Sequence, residues 1–116
     1  MIEHVLAVVP VSDMARATRF YEQLFGRPPD NRPMETLVEW RVTGSAWLQV
    51  FHAPDRAGSS YANFAVDDLD RHLAELRGRG LAPGEVQAAD RGVRISSIED
   101  PDGNTLAFIG GFRTVY

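Results

Sequence analysis

The segment Val11-Ser12-Asp13-Met14-Ala15-Arg16 recurs 55 positions later as Val66-Asp67-Asp68-Leu69-Asp70-Arg71. In both copies a short apolar run leads into acidic residues, and a helical pattern then closes on glycine. That is a strand entering a capped helix, written twice. Two copies of so long a period do not make a solenoid, which needs at least three stacked repeats, and instead specify two similar modules in one unit. At 116 residues the chain is long enough for one domain with one core. A cleft is expected where the modules meet.

Charge and composition narrow the partners. The formal net charge of -4 and the scattering of the twelve Lys and Arg residues argue against nucleic-acid binding and suit a cationic small molecule better. The absence of cysteine excludes thiolate ligands, thiol catalysis and disulfides. No apolar stretch reaches membrane-spanning length, and Met1-Ile2-Glu3-His4 lacks the basic start of a signal peptide, so the expectation is a cytoplasmic protein with no membrane partner.

Along the first module, Glu3 to Val9 reads as a strand whose near-continuous apolarity predicts cover on both faces, ended by Pro10. Asp13 is positioned to cap a helix whose apolar face is Ala17, Phe20, Tyr21, Leu24 and Phe25, with Gly26 as its stop. The Pro28 to Pro33 stretch predicts a loop with a short edge strand. A hairpin follows, Thr36 to Val42 and Ala46 to His52, joined at Thr43-Gly44-Ser45. Residues 54–60 form the only linker candidate. The second module repeats the order: strand Tyr61 to Val66, cap Asp68, a helix presenting Leu69, His72, Leu73 and Leu76, then strands Glu85 to Ala89, Val93 to Ile98 and Thr105 to Phe112. The expected architecture is a single α+β domain over residues 1–116, with module one at 1–53 and module two at 61–116.

Val11-Ser12-Asp13 leading to Phe20-Tyr21 and Leu24-Phe25-Gly26, Val66-Asp67-Asp68-Leu69 in the second copy, and the turn Asp100-Pro101-Asp102-Gly103-Asn104 before the last strand together resemble the vicinal oxygen chelate superfamily of glyoxalase I, bleomycin-resistance proteins and extradiol dioxygenases. The resemblance covers essentially the whole chain. It implies two βαβββ modules forming a curled mixed sheet, with the ligand on the concave face, commonly in a homodimer. Catalytic members bind one divalent metal ion through four positions that here fall at Leu6, Gln49, Tyr61 and Ala107. Leucine and alanine cannot ligate, the Gln amide is a poor ligand, and Tyr ligates well only when ionised. His4, Glu39 and His52 are the nearby replacements, yet His52 has the opposite strand parity to Gln49, and three convergent donors are not found.

If Gln49 marks the concave face, alternation brings Trp47 and Phe51 to it, and brings Asn63 with Tyr61. Trp40 joins them if its strand presents Val38, Trp40 and Val42 to that side, and Arg94, alternating with Ser96 and Ile98, would offer a guanidinium to a carboxylate or phosphate. The candidate ligand-binding set is therefore Trp47, Gln49, Phe51, Tyr61, Asn63, Trp40, Arg94, Leu6 and Ala107, with no catalytic residue assigned and no cofactor. These residues describe a binder of an aromatic or cationic compound more than a reactor. The alternative is a metal-dependent lyase, isomerase or dioxygenase holding a divalent ion through a rearranged set such as His4, Gln49 and Tyr61. A two-fold homodimer is expected, with Phe108-Ile109-Gly110-Gly111-Phe112 and Arg27-Pro28-Pro29 near the seam.

Overall fold

The computed structural model describes all 116 residues. The first module contains strand β1 (Val5–Val11), helix α1 (Met14–Phe25) and strands β2 (Asn31–Met34), β3 (Leu37–Thr43) and β4 (Ala46–His52). The second contains β5 (Tyr61–Val66), α2 (Leu69–Gly78), β6 (Gln87–Ala88), β7 (Arg94–Glu99) and β8 (Thr105–Gly110). Each forms its own four-stranded mixed sheet, in orders β1-β4-β3-β2 and β5-β8-β7-β6. The parallel pairs β1·β4 and β5·β8 occupy matching places, so the sequence repeat is a repeat of topology.

Both helices begin as their sequences predict. Asp13 accepts from the Arg16 N–H at 3.0 Å, and Asp68 accepts from the Arg71 N–H at the same distance, satisfying donors that the first helical turn leaves free. Gly26 closes α1 at a φ of 72°, a conformation costly for any residue with a Cβ. The cap there is completed from the other module. The Arg79 guanidinium donates to the carbonyls of Gln23 and Leu24, occupying acceptors that α1 cannot satisfy itself.

Four strand expectations need correction. β1 runs through Pro10 to Val11, because an edge strand tolerates a residue with no N–H. Nor is β1 covered on both faces: Val9 and Val11 are buried, while Leu6 and Val8 remain about half exposed. The Glu85 to Ala89 strand shrinks to the two-residue β6, and the last strand stops at Gly110, two residues before Phe112. Gly111 turns out of the strand at a φ of 82°, where an added Cβ would lie 2.7 Å from the Gly92 carbonyl.

One hydrophobic core runs through both modules, joining Ala17, Tyr21 and Leu24 of α1 to Leu69, Leu73 and Leu76 of α2 over the inner faces of both sheets. Its bridge is aromatic. Trp40 packs on Tyr21 and Phe25, Phe25 meets Phe64 edge-on at 6.0 Å, and Phe64 stacks on Phe108. Beside this bridge lies a polar knot. The buried Asp100 carboxylate accepts from the Tyr21 hydroxyl, the Asp102 and Asn104 N–H groups and the Asn104 amide, and that amide also donates to the Pro10 carbonyl. Asn104 Oδ1 accepts from Ser60. Burial, reinforced by the Asp100 charge, raises the Tyr21 hydroxyl pKa far beyond its ordinary range, so it acts only as a neutral donor.

Asn104→Ala leaves the Pro10 carbonyl without its donor, removes one of the four hydrogen bonds to Asp100 and takes away the acceptor of Ser60, and is expected to lower unfolding free energy by about 2–4 kcal/mol, measured by chemical denaturation. A second expectation concerns His72, whose ring packs 4.6 Å from that of Phe108 with a buried Nε2 that has no partner. Burial lowers its pKa from 6.5, with Glu75 opposing. The unfolded chain thus takes up the proton first. Stability is fully present above about pH 6.5 and is lost as pH falls below it. Denaturation at stepped pH should show this loss, and His72→Leu should diminish it.

Candidate functional site

Strand alternation divides the side chains of each sheet into a helix-covered face and an open one. On the first sheet the open face consists of three rows read across the paired strands. Leu6, Trp47 and Arg41 form one outer row, and Pro10, Phe51 and Leu37 form the other. Between them runs Val8, Gln49, Glu39 and Asn31, so a polar row lies between two rows rich in apolar surface. The Gln49 amide donates to Glu39 Oε2 at 2.8 Å, and the Asn31 amide donates to Glu39 Oε1 at 3.0 Å. Arg41 lies 5.9 Å from the Trp47 ring centroid while donating to the Gly44 carbonyl. On the second sheet, register puts Tyr61 beside Thr105 and Asn63 beside Ala107 on the corresponding face, with Ser97 opposite Ala107.

A cleft of about 470 Å³ opens between the modules. Its walls bring Trp47, Val5 and Val42 of the first module to Tyr61, Asn63 and Phe64 of the second. Leu6, Gln49, Phe51 and Ala107 do not line it. Phe51 instead borders a second hollow of about 540 Å³ with Val8, Pro10 and Arg56.

Trp40 and Arg94 lie elsewhere. Trp40 does share a side with Val38 and Val42, but that side faces the helix: its ring is fully buried and its indole N–H donates to the Arg27 carbonyl. Arg94 shares a side with Ser96 and Ile98, again the helix side, where it grips Asp70 of α2 through two hydrogen bonds of 2.9 and 3.1 Å. Those bonds lower the Asp70 pKa and raise that of Arg94, so the guanidinium is engaged. Phe108, expected near a dimer seam, belongs to the core. Glu39 is the residue that sequence parity alone leaves undefined, because its face follows only from pairing with Gln49.

Of the four family positions for metal donors, Leu6, Gln49, Tyr61 and Ala107, none supplies a carboxylate or imidazole, and the Gln49 amide is turned to Glu39. No three His, Asp or Glu side chains converge anywhere. The donor set does not fit a divalent ion.

The model of the Glyoxalase/Bleomycin resistance protein/Dioxygenase superfamily matches residues 1–108. The chain belongs to this superfamily. Among solved structures of the superfamily fold, a glyoxalase/bleomycin resistance protein from Catenulispora acidiphila DSM 44928 is 31% identical, covering 92% of this chain and 96% of its own, with a TM-score of 0.87. TnmS3, an antibiotic binding protein from Streptomyces sp. CB03234, is 27% identical over 94% of this chain and 96% of its own, with a TM-score of 0.77. A bleomycin-binding protein complexed with bleomycin shares the fold at a TM-score of 0.76, with 20% identity, covering 97% of this chain and 100% of its own. No curated protein sequence matches the chain. No helix is long and apolar enough to cross a membrane.

The two tryptophans should separate cleanly. Trp40→Ala opens a core cavity and is expected to cost about 3–5 kcal/mol. Trp47→Ala, on the open face, is expected to cost about 1–2 kcal/mol. Denaturant titration of both variants checks the contrast.

Proposed function

We propose that this superfamily member binds an aromatic or cationic small molecule without a resident metal ion, by sequestration rather than turnover. The observation that carries the reading is the cleft itself, where Trp47 of one module and Tyr61 of the other border a common apolar space of a size that takes a small organic ligand. Planar rings stack on such walls, and a cation placed over an aromatic face gains ~0.5–2 kcal/mol. The Tyr61 hydroxyl and the Asn63 amide supply orienting hydrogen bonds at the same wall. Nothing there is a strong nucleophile or base. The mismatch between the donor set and a divalent ion favours this reading over a metal-dependent lyase, isomerase or dioxygenase. The antibiotic-binding description of TnmS3 gives the reading a precedent on a related chain.

The working unit in this proposal is a cytoplasmic homodimer. Leu6, Val8, Phe51 and Tyr61 leave apolar surface open on the helix-free faces, and β1 and β5 are unpaired sheet edges of the kind that proteins cover. A second copy would cover them and close the cleft.

Calorimetric titration of the metal-free protein with bleomycin and with planar cationic dyes tests the proposal. Binding that weakens at least about tenfold in Trp47→Ala is expected, since lost aromatic packing is worth at least about 1.4 kcal/mol at a buried contact. Absence of binding across the panel, or binding only after a divalent ion is added, overturns it. Light scattering should give twice the 12.9 kDa chain mass, and a stable monomer that still binds ligand removes the dimer from the reading.

A further inference from the structure

The polar row on the first sheet has a hydrogen-bonding bias that the cleft does not. A carboxylate only accepts, so the Asn31 and Gln49 amides facing Glu39 must both present their NH2 groups to it. Each of these amides spends one N–H on the carboxylate and leaves its carbonyl oxygen and its second N–H for an incoming molecule. Glu39 itself has about four lone-pair sites, of which these two bonds use two. The row therefore displays more acceptor than donor capacity, with two amide oxygens and the remaining lone pairs of one carboxylate against two amide N–H groups, and its one charge is negative.

The charge of Glu39 has no cation of this chain against it. The ion pairs of the molecule are Arg27 with Asp30, Arg71 with Asp67 and Glu75, and Arg94 with Asp70. Arg41, next along the same face of β3, turns to the Gly44 carbonyl and the Trp47 ring instead. Trp47 is the diagonal neighbour of Glu39 across the β3·β4 pair, a separation of about 7–8 Å that an aromatic ligand body spans. Trp47 also lines the cleft. An aromatic body held at Trp47 can thus place a substituent over Glu39.

We propose that Glu39 is the specificity-determining residue of the site, selecting ligands whose aromatic body carries a donor-rich cation: an ammonium, amidinium or guanidinium group. The proposal rests on the reading of the cleft and its adjoining sheet face as a small-molecule site. Asn31 and Gln49 are positioning residues, holding both carboxylate oxygens in the plane that meets the ligand. A quaternary cation would gain the charge attraction and none of the hydrogen bonds, and an uncharged ring system would gain neither.

The test compares proflavine, an aromatic cation bearing N–H donors, with phenazine, an uncharged ring system of similar outline, by calorimetry on the intact protein and on Glu39→Gln. The intact protein should prefer proflavine, and Glu39→Gln should weaken proflavine by about tenfold to a hundredfold while leaving phenazine unchanged. Equal binding of both compounds to the intact protein, or a preference that survives Glu39→Gln, overturns the role of Glu39 and leaves the cleft reading standing. Loss of phenazine along with proflavine in Glu39→Gln assigns Glu39 a structural role and likewise overturns it. Failure of both compounds to bind the intact protein removes the cleft reading and this inference together.

Discussion

The buried carboxylate of Asp100 is the constraint on which the arrangement of the two modules depends. A charge taken out of water is tolerable only when its oxygens are fully engaged, and Asp100 takes its donors from two places: Asp102 and Asn104 of its own turn, and Tyr21 of the other module. Asn104 then reaches Pro10 near the end of β1 and Ser60 at the end of the linker. One turn thereby fixes the end of β1, the middle of α1 and the linker against one another. Gly58 shows how closely the linker sits, since a Cβ there would lie 2.4 Å from the Asp102 carbonyl. The aromatic bridge from Trp40 through Phe25 and Phe64 to Phe108 supplies the burial, and the Asp100 knot supplies the register.

With the helices held on one side, each sheet has a second face that the core does not use. On the first sheet that face carries rows rich in apolar surface at both margins and a polar row centred on the Glu39 carboxylate in the middle. Leu6, Val8 and Phe51 are exposed on the helix-free face and are not members of the core cluster. Surface of this composition suits a partner or a ligand better than bulk water. The superfamily fold is compatible with enzymes and with binders, so function is set by the side chains on these faces. Here they offer aromatic walls and a carboxylate held by amides, without the convergent donors of a metal centre.

Much of the fold was legible in the chain because local chemistry and periodicity agreed. Asp13 and Asp68 cap their helices, Gly26 ends α1, and the 55-residue repeat marks the duplication of topology. The candidate site was legible in part: Trp47, Gln49 and Phe51 do share a face, as do Tyr61, Asn63 and Ala107, because side-chain alternation within one strand is a local property. The faces of Trp40 and Arg94 are left open by their own strands and turn out to be the helix side, and the place of Glu39 in the polar row is not visible in the chain. All three lie on strands whose side depends on pairing with another strand, and a one-residue change of register reverses every such assignment.

The sequence by itself determined the two modules, their caps, their strands and the residue types lacking at the family's metal positions, since each of these is encoded within a few neighbouring residues. Only the tertiary structure decided which face of each sheet the helices cover. That choice turned Trp40 into core, tied Arg94 to Asp70, and set Glu39 beside Gln49 on an open face next to Trp47. The physical reason is that burial of the helix-facing stripes and satisfaction of Asp100 are long-range conditions, met by Tyr21 and Asp100 79 positions apart, and no window along the chain contains both.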